Sequence, residues 1–268
     1  MITGSIAAYH NSEYDMKKVI DSFLGDNNKL LLFVIDNSSN DSLSKLCNDS
    51  RIRYIYNNKN LGFGAAHNIA FNQAYQLNSK YHFLLNPDIH FNPSIVDDLV
   101  KKANSDHKIG LIMPKIIYPD GSIQHLCKLL PTPFDLIIRR FLPNSNFKNR
   151  LRKKYELHFL SHTTESEIPS LSGCFMLLRI STLKLVNGFD DRYFMYLEDV
   201  DLCRKMGAIS KLIYFPNNSV IHNYEKGSYS NIKLLYFHIR SAIKYFNKWG
   251  WIFDQKRKRI NNKMLKNK

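Results

Sequence analysis

Four short stretches of this 268-residue chain gather side chains able to do chemistry. The densest is GFDDRYFMYLEDVDLCRK, Gly188 to Lys205, where Glu198, Asp199 and Asp201 crowd behind Phe194, Met195, Tyr196 and Leu197. Carboxylates this close repel one another unless a cation, a buried partner or a substrate offsets the charge. At least one is therefore a candidate for proton transfer or ligation, the plainer alternative being a solvated acidic helix start. Asn86-Pro87-Asp88 closes the apolar run YHFLL, and Asp88 there can offer a hard oxygen to Mg²⁺ or Mn²⁺. A polar turn ahead of a helix at Pro93 fits the same residues. Asp36 leaves a buried run in VIDNSSND, placed to accept hydrogen bonds from a base or ribose, or to form an Asx turn or helix cap. In NKNLGFGAAHNIA, Gly62 and Gly64 let the backbone approach a ligand as a helix begins, or simply turn the chain. This is no dinucleotide fingerprint, because His67 stands at the third small position and the acidic residue precedes the glycines.

The elements that must hold these residues alternate. Strands are expected near residues 4–9, 30–35, 53–56, 81–85 and 110–114, with helices near 14–24, 42–48, 64–77 and 93–104, the pattern of a mostly parallel sheet flanked by helices. From Lys115 to Ser166 the chain turns irregular around Pro119, Pro131, Pro133 and Pro143, an excursion over the sheet edge. Regular structure resumes with a strand near 173–179, a helix near 181–186 and a last strand near 213–215. Ile232, Leu235, Ile239, Ile243 and Phe246 then repeat at helical spacing, predicting an amphipathic helix from 231 to 253.

Length and 44% hydrophobic content suit a folded α/β domain, and the four cysteines form no C-x-x-C pair, so they are read as reduced thiols. No leader pattern opens the chain and no apolar run nears the length of a membrane span, so a cytoplasmic protein with at most peripheral membrane contact is expected. The formal charge of +15 asks for a polyanionic partner. It concentrates at Arg139, Arg140, Lys148, Arg150, Arg152, Lys153 and Lys154, and again after Asn231, where eleven Lys or Arg face only Asp254. Trp249, Trp251 and Phe253 beside Lys248, Lys256, Arg257, Lys258 and Arg259 suit an anionic membrane interface, or else a core-packing helix followed by a solvated charge run. No nucleic-acid module is recognisable, which leaves a basic binding module as a remote alternative.

The order of the pieces is more specific than any one. An acidic strand end, a glycine turn, N-x-D at a strand end, SGCFMLLR, and then GFD with EDVDL together resemble the family 2 glycosyltransferases, within them the bacterial rhamnosyltransferase-like branch, from about Gly4 to His222. The resemblance implies a GT-A fold over residues 1–230, the nucleotide half at about 1–115 and the acceptor half at about 116–230, with 231–268 a basic amphipathic extension. It implies an inverting enzyme that uses Mg²⁺ or Mn²⁺ to move a sugar from a nucleotide diphosphate to a saccharide acceptor, lipid-linked, in O-antigen or capsule synthesis. The donor implied is dTDP-rhamnose, with a UDP-hexose or UDP-galactofuranose as the alternative. Asp199 would be the catalytic base, with Glu198 and Asp201 binding the acceptor or supporting the site. Asp36, Gly62, Gly64, Asn68 and Asn86 would hold the donor nucleotide, and Asp88 and His222 the metal. One departure stands out: Asn86 replaces the first Asp of D-x-D, and an amide binds a hard cation more weakly than a carboxylate.

Overall fold

A computed structural model describes residues 1–136, 143, 145–223 and 232–266. Arg139 and Arg140, the stretch 224–230 after His222 and the expected 230/231 boundary lie outside the described residues.

The first half alternates as the sequence predicts: β1 (Ile2–Ala8), α1 (Glu13–Leu24), β2 (Leu30–Asp36), β3 (Ile52–Tyr56), α2 (Phe63–Gln76) and β4 (Tyr81–Leu85). Ser12 caps α1 by accepting from the Asp15 amide. The helix expected at 42–48 is instead a short 3-10 turn, Ser42–Leu46, its Asp41 cap making no side-chain bond. A short β5 (Ile89–Phe91), not foreseen, precedes α3 (Ser94–Ser105) and the long β6 (Ile109–Ile117).

In the later half the irregular excursion contains α4 (Asn146–Tyr155), capped by Ser145, and the two-residue β7 (Ser166–Glu167). Next come β8 (Phe175–Arg179), α5 (Ile180–Leu185), α6 (Glu198–Met206) and β9 (Lys211–His222), the last far longer than the three residues expected. Two helices, α7 (Ile232–Trp249) and α8 (Gln255–Lys266), follow.

Nine strands form one sheet in the order β3-β2-β1-β4-β8-β6-β9-β5, with β7 also on β9. The longest ladders are parallel, β1 with β2 and β6 with β9, while β8 runs antiparallel between β4 and β6. Strand alternation divides the core. Leu32 and Val34 face the main cluster with Met16, Val19 and Phe23 of α1, whereas Phe33 and Ile35 meet Ala66 and Ala70 of α2. Both α2 contacts are alanines, which lets that helix lie close to the sheet. A second cluster, Leu130, Tyr193, Leu197, Val200, Tyr245 and Phe246, joins α6 to α7. There Arg204 and Asp254 form a buried ion pair at 2.6 Å.

Candidate active site

Antiparallel pairing of β4 with β8 places Leu85 opposite Phe175, so the end of β4 meets the Gly173–Cys174 turn. The Asn86 amide donates to the Cys174 carbonyl at 2.9 Å, and the adjoining Gly173 amide donates to Asp199 Oδ2 at 3.1 Å. One dipeptide thus joins the N-x-D turn to the acidic helix. A Cβ on Gly173 would lie 3.3 Å from the Asp199 Cβ and from the Phe63 ring, so the glycine permits that approach. Asn86, Glu198, Asp199 and His222 line one cleft of about 760 Å³.

His222 ends β9 opposite Ile89, one residue beyond Asp88. Its Nδ1 lies 2.9 Å from Gln124 Oε1, and the Gln124 amide donates to the His222 carbonyl at 2.9 Å, which fixes how that amide points. Nδ1 therefore donates to Gln124, and Nε2 lies 3.4 Å from Asn86 Nδ2 and 3.3 Å from Asp88 Oδ1. Asp88 Oδ1 is buried and makes no hydrogen bond. An imidazole nitrogen beside a buried carboxylate oxygen is a pair of atom types that suits a divalent cation. Among the described residues no group of three or more His, Cys, Asp or Glu side chains could hold a metal. Any ion here would need oxygens from a ligand. Sequence reasoning missed Gln124, whose signal lies only in this contact.

The three carboxylates of α6 have three environments. Asp199 is held by the Gly173 amide and, at 2.8 Å, by the Val200 amide. Glu198 is buried, its Oε2 without a partner, and burial followed by the Asp199 charge pushes its carboxyl up to about 8. Asp201 is fully buried and accepts from Lys248 Nζ at 2.9 Å and Trp249 Nε1 at 2.7 Å. It braces α6 against α7 and does not line the cleft. Tyr196 and Leu197, ahead of Glu198, both take left-handed backbone at φ of 68° and 66°. Such conformations cost roughly 1–3 kcal/mol each and persist only where packing enforces them, as the cluster around Leu197 does here.

The residues expected at the donor have other partners as well. Asp36 is buried at the end of β2, accepting from the Ser38 amide at 2.9 Å and the Tyr54 hydroxyl at 2.7 Å. Gly62 has φ of 88°, and a Cβ there would come within 2.3 Å of the Phe194 carbonyl. A Cβ on Gly64 would lie 3.0 Å from that of Phe189. Asn68 binds the Phe189 backbone on both sides, at 2.9 and 3.0 Å, and Asp191 at 2.6 Å. These three residues hold the 188–194 segment against α2.

The family model for glycosyl transferase family 2 matches residues 6–182. The chain belongs to that family. It is 29% identical over 185 residues to N-acetylglucosaminyl-diphospho-decaprenol L-rhamnosyltransferase of Mycobacterium tuberculosis (strain H37Rv), a match covering 64% of this chain and 59% of that protein. With rhamnosyltransferase WbbL of Escherichia coli K12 it shares 27% identity over 251 residues, 90% of each. The chain thus spans less than two thirds of the mycobacterial relative's length. Among solved structures, GalNAc-T7 with UDP, GalNAc and Mn²⁺ superposes with a TM-score of 0.62 at 16% identity, over 84% of this chain and 43% of that one. Mannosyltransferase PcManGT of Pyrobaculum calidifontis with GDP-Man and Mn²⁺ gives 0.57 at 15% identity, over 91% and 64%. This likeness shows the fold, GT-A, as the sequence pattern implies.

Proposed function

We propose that the chain is a metal-dependent, inverting glycosyltransferase that moves rhamnose from dTDP-rhamnose to a hydroxyl of a lipid-linked saccharide in bacterial surface polysaccharide synthesis. The observation that carries this reading is the joining of Asp199 to the N-x-D turn of Asn86 and Asp88 through the Gly173–Cys174 dipeptide, at a cleft that Asn86, Asp199 and His222 line. Two rhamnosyltransferase relatives support the sugar, and the diphospho-decaprenol in one relative's name supports the lipid-linked acceptor.

Asp199, oriented by two backbone amides, takes the proton of the acceptor hydroxyl as its oxygen attacks the anomeric carbon from the face opposite the nucleotide, inverting the configuration. Glu198, holding its proton at neutral pH, would orient the acceptor. Asp88 and His222 would hold Mg²⁺ or Mn²⁺ together with the donor phosphates, offsetting charge on the leaving diphosphate. Asp36 and Asn86 lie at strand ends on the donor side, Asp36 for base or ribose. Residues 1–115 form the nucleotide half, 116–230 the acceptor half and 231–268 the extension.

Membrane contact is part of the same reading. Among the described residues no helix is long and apolar enough to cross a bilayer. Yet Ile232, Tyr236, Ile239 and Ile243 form an exposed stripe along α7, and Ile252 and Phe253 stand exposed beyond its end, Phe253 at 92%. Lys233, Arg240, Lys256, Lys258 and Arg259 flank them at the surface, as an anionic bilayer requires. Trp249 and Arg257, expected at that interface, are instead used inside: Trp249 on Asp201 and under Arg204, Arg257 on the carbonyls of Pro131, Gly250 and Trp251. His238 of α7 lines the cleft next to Ile239, so this face adjoins the cleft wall.

The test is release of nucleotide from dTDP-rhamnose, UDP-galactofuranose and UDP-hexoses with Mn²⁺ or Mg²⁺, with chelator, and with Asp88→Ala. Turnover of dTDP-rhamnose alone, abolished by chelator and by the variant, is expected. Full activity in either case removes the metal, and preference for a UDP sugar reassigns the donor.

A further inference from the structure

The cleft that Asp199 lines is also walled by Lys128, by Lys148 and Arg152 of α4, and by His125 and His158. Lys148 and Arg152 are four residues apart, hence on one face of the helix. The Arg152 side chain is exposed, and Lys148 and Lys128 are half-buried. His125 and His158 stack with ring centroids 3.5 Å apart, and the buried Nδ1 of His125 makes no hydrogen bond. Of the carboxylates lining the cleft, Glu156 lies 3.2 Å from His158 Nε2. The same wall continues into a second hollow lined by Arg150, Lys153 and Lys154, with no acidic residue.

Three cationic side chains on the wall of one substrate cleft form a field for a compact multivalent anion. Arg152 suits it in particular, since a guanidinium fork meets two phosphate oxygens at once. On the glycosyltransferase reading the donor's diphosphate is already provided for by Asp88, His222 and the cation they would hold. Asp36 and Asp88 do not line this cleft. A base working on an acceptor hydroxyl must have the acceptor beside it, and the acceptor's remainder can extend along the cleft toward α4.

We infer that Lys128, Lys148 and Arg152, with His125 and His158, form a subsite for the phosphate or diphosphate that joins the acceptor saccharide to its lipid. This rests on the glycosyltransferase reading and adds to it that the acceptor is recognised through its anionic linkage. The saccharide then lies between the phosphate and Asp199, and binding weakens as salt rises.

The experiment measures binding to the full chain, with Mg²⁺ and saturating dTDP present so that the donor side is filled. The probes are undecyl diphosphate, inorganic pyrophosphate and neutral undecyl glucoside, against wild type and the double variant Lys148→Gln/Arg152→Gln. Wild type should bind undecyl diphosphate at least about tenfold more tightly than the glucoside, a margin of about 1.4 kcal/mol. Pyrophosphate should compete. The double variant should lose that margin while its Tm, glucoside binding and dTDP affinity stay as in wild type. Equal binding of diphosphate and glucoside, an unaltered margin in the variant, or a margin seen only when dTDP is left out would each overturn the subsite. If dTDP with Mg²⁺ does not bind at all, the transferase reading fails, while the undecyl comparison still decides the subsite.

Discussion

The residues proposed for the donor and for the base are held in place by opposite means. Asp36 ends a strand paired in parallel register with its neighbours, so it is fixed opposite Ala8 and Tyr56 by the ladders themselves. Asp199 accepts locally from the Val200 amide, which does not by itself set its place. It is positioned by an amide 26 residues earlier, on a helix that Asp201 ties to Lys248 and Trp249, 47 and 48 residues later. A strand-end residue inherits its position from the sheet, whereas a helix-start residue here depends on long-range packing. Perturbations remote from the cleft should therefore disturb the base more readily than the donor end.

The largest effect expected is on chemistry. Asp199→Asn keeps the shape and both amide contacts but removes the base, so turnover should fall by roughly 10² to 10⁴ with donor affinity near wild type. Measuring Glu198→Gln beside it sharpens the assignment: if Glu198→Gln is dead and Asp199→Asn turns over normally, the base is Glu198.

Next in size is stability. Asp201→Ala leaves Lys248 and Trp249 without their buried acceptor and should cost about 3 kcal/mol or more, seen as a lower urea midpoint. Asn68→Ala, which frees only the 188–194 segment, should cost less. An Asp201→Ala protein as stable as wild type would mean that α7 does not depend on this tie.

The pH dependence separates the two sides again. Glu198, ordinarily near 4.5 and raised to about 8, keeps its proton in the folded state while the unfolded chain loses it. The folded state then binds more protons, so stability falls as pH rises from about 4.5 to about 8, by up to ~1.4 kcal/mol per pH unit. His67, under the donor side, is lowered by burial from 6.5 to about 3 and acts oppositely, its stability lost as pH falls through that interval. Between about pH 6.5 and 8 the Glu198 contribution acts without that of His67. Glu198→Gln should flatten the wild-type decline there in urea titrations, and an unchanged slope would show that Glu198 ionises normally.

The smallest effect expected is at the α7 surface. Ile239→Ser with Ile243→Ser and Phe253→Ser should weaken binding to anionic liposomes several-fold at low salt and leave dTDP binding alone. Equal binding of variant and wild type would make this stripe ordinary surface.

Residue types and spacing were enough to read the GT-A framework, the strand-end positions of Asp36 and Asp88, and the grouping of Glu198 with Asp199, because hydrophobic periodicity and turn residues act within a few positions of themselves. The same local signals could not show α4, whose ten residues are mostly polar and basic, or β5, β7 and the full length of β9, which exist as strands through pairing with distant partners. Nor could they divide the work of the three carboxylates. Spacing alone left Asp201 in the cleft as readily as in a brace. Burial and partners are properties of the packed chain: Asp201 meets Lys248 and Trp249 only once α7 lies on α6, and Glu198 is raised only where the fold excludes water. The sequence by itself therefore determined which residues could act and on which elements they stand. Only the tertiary structure decided which of them face the cleft, because water exclusion and contacts across tens of residues are set by how the elements close on one another.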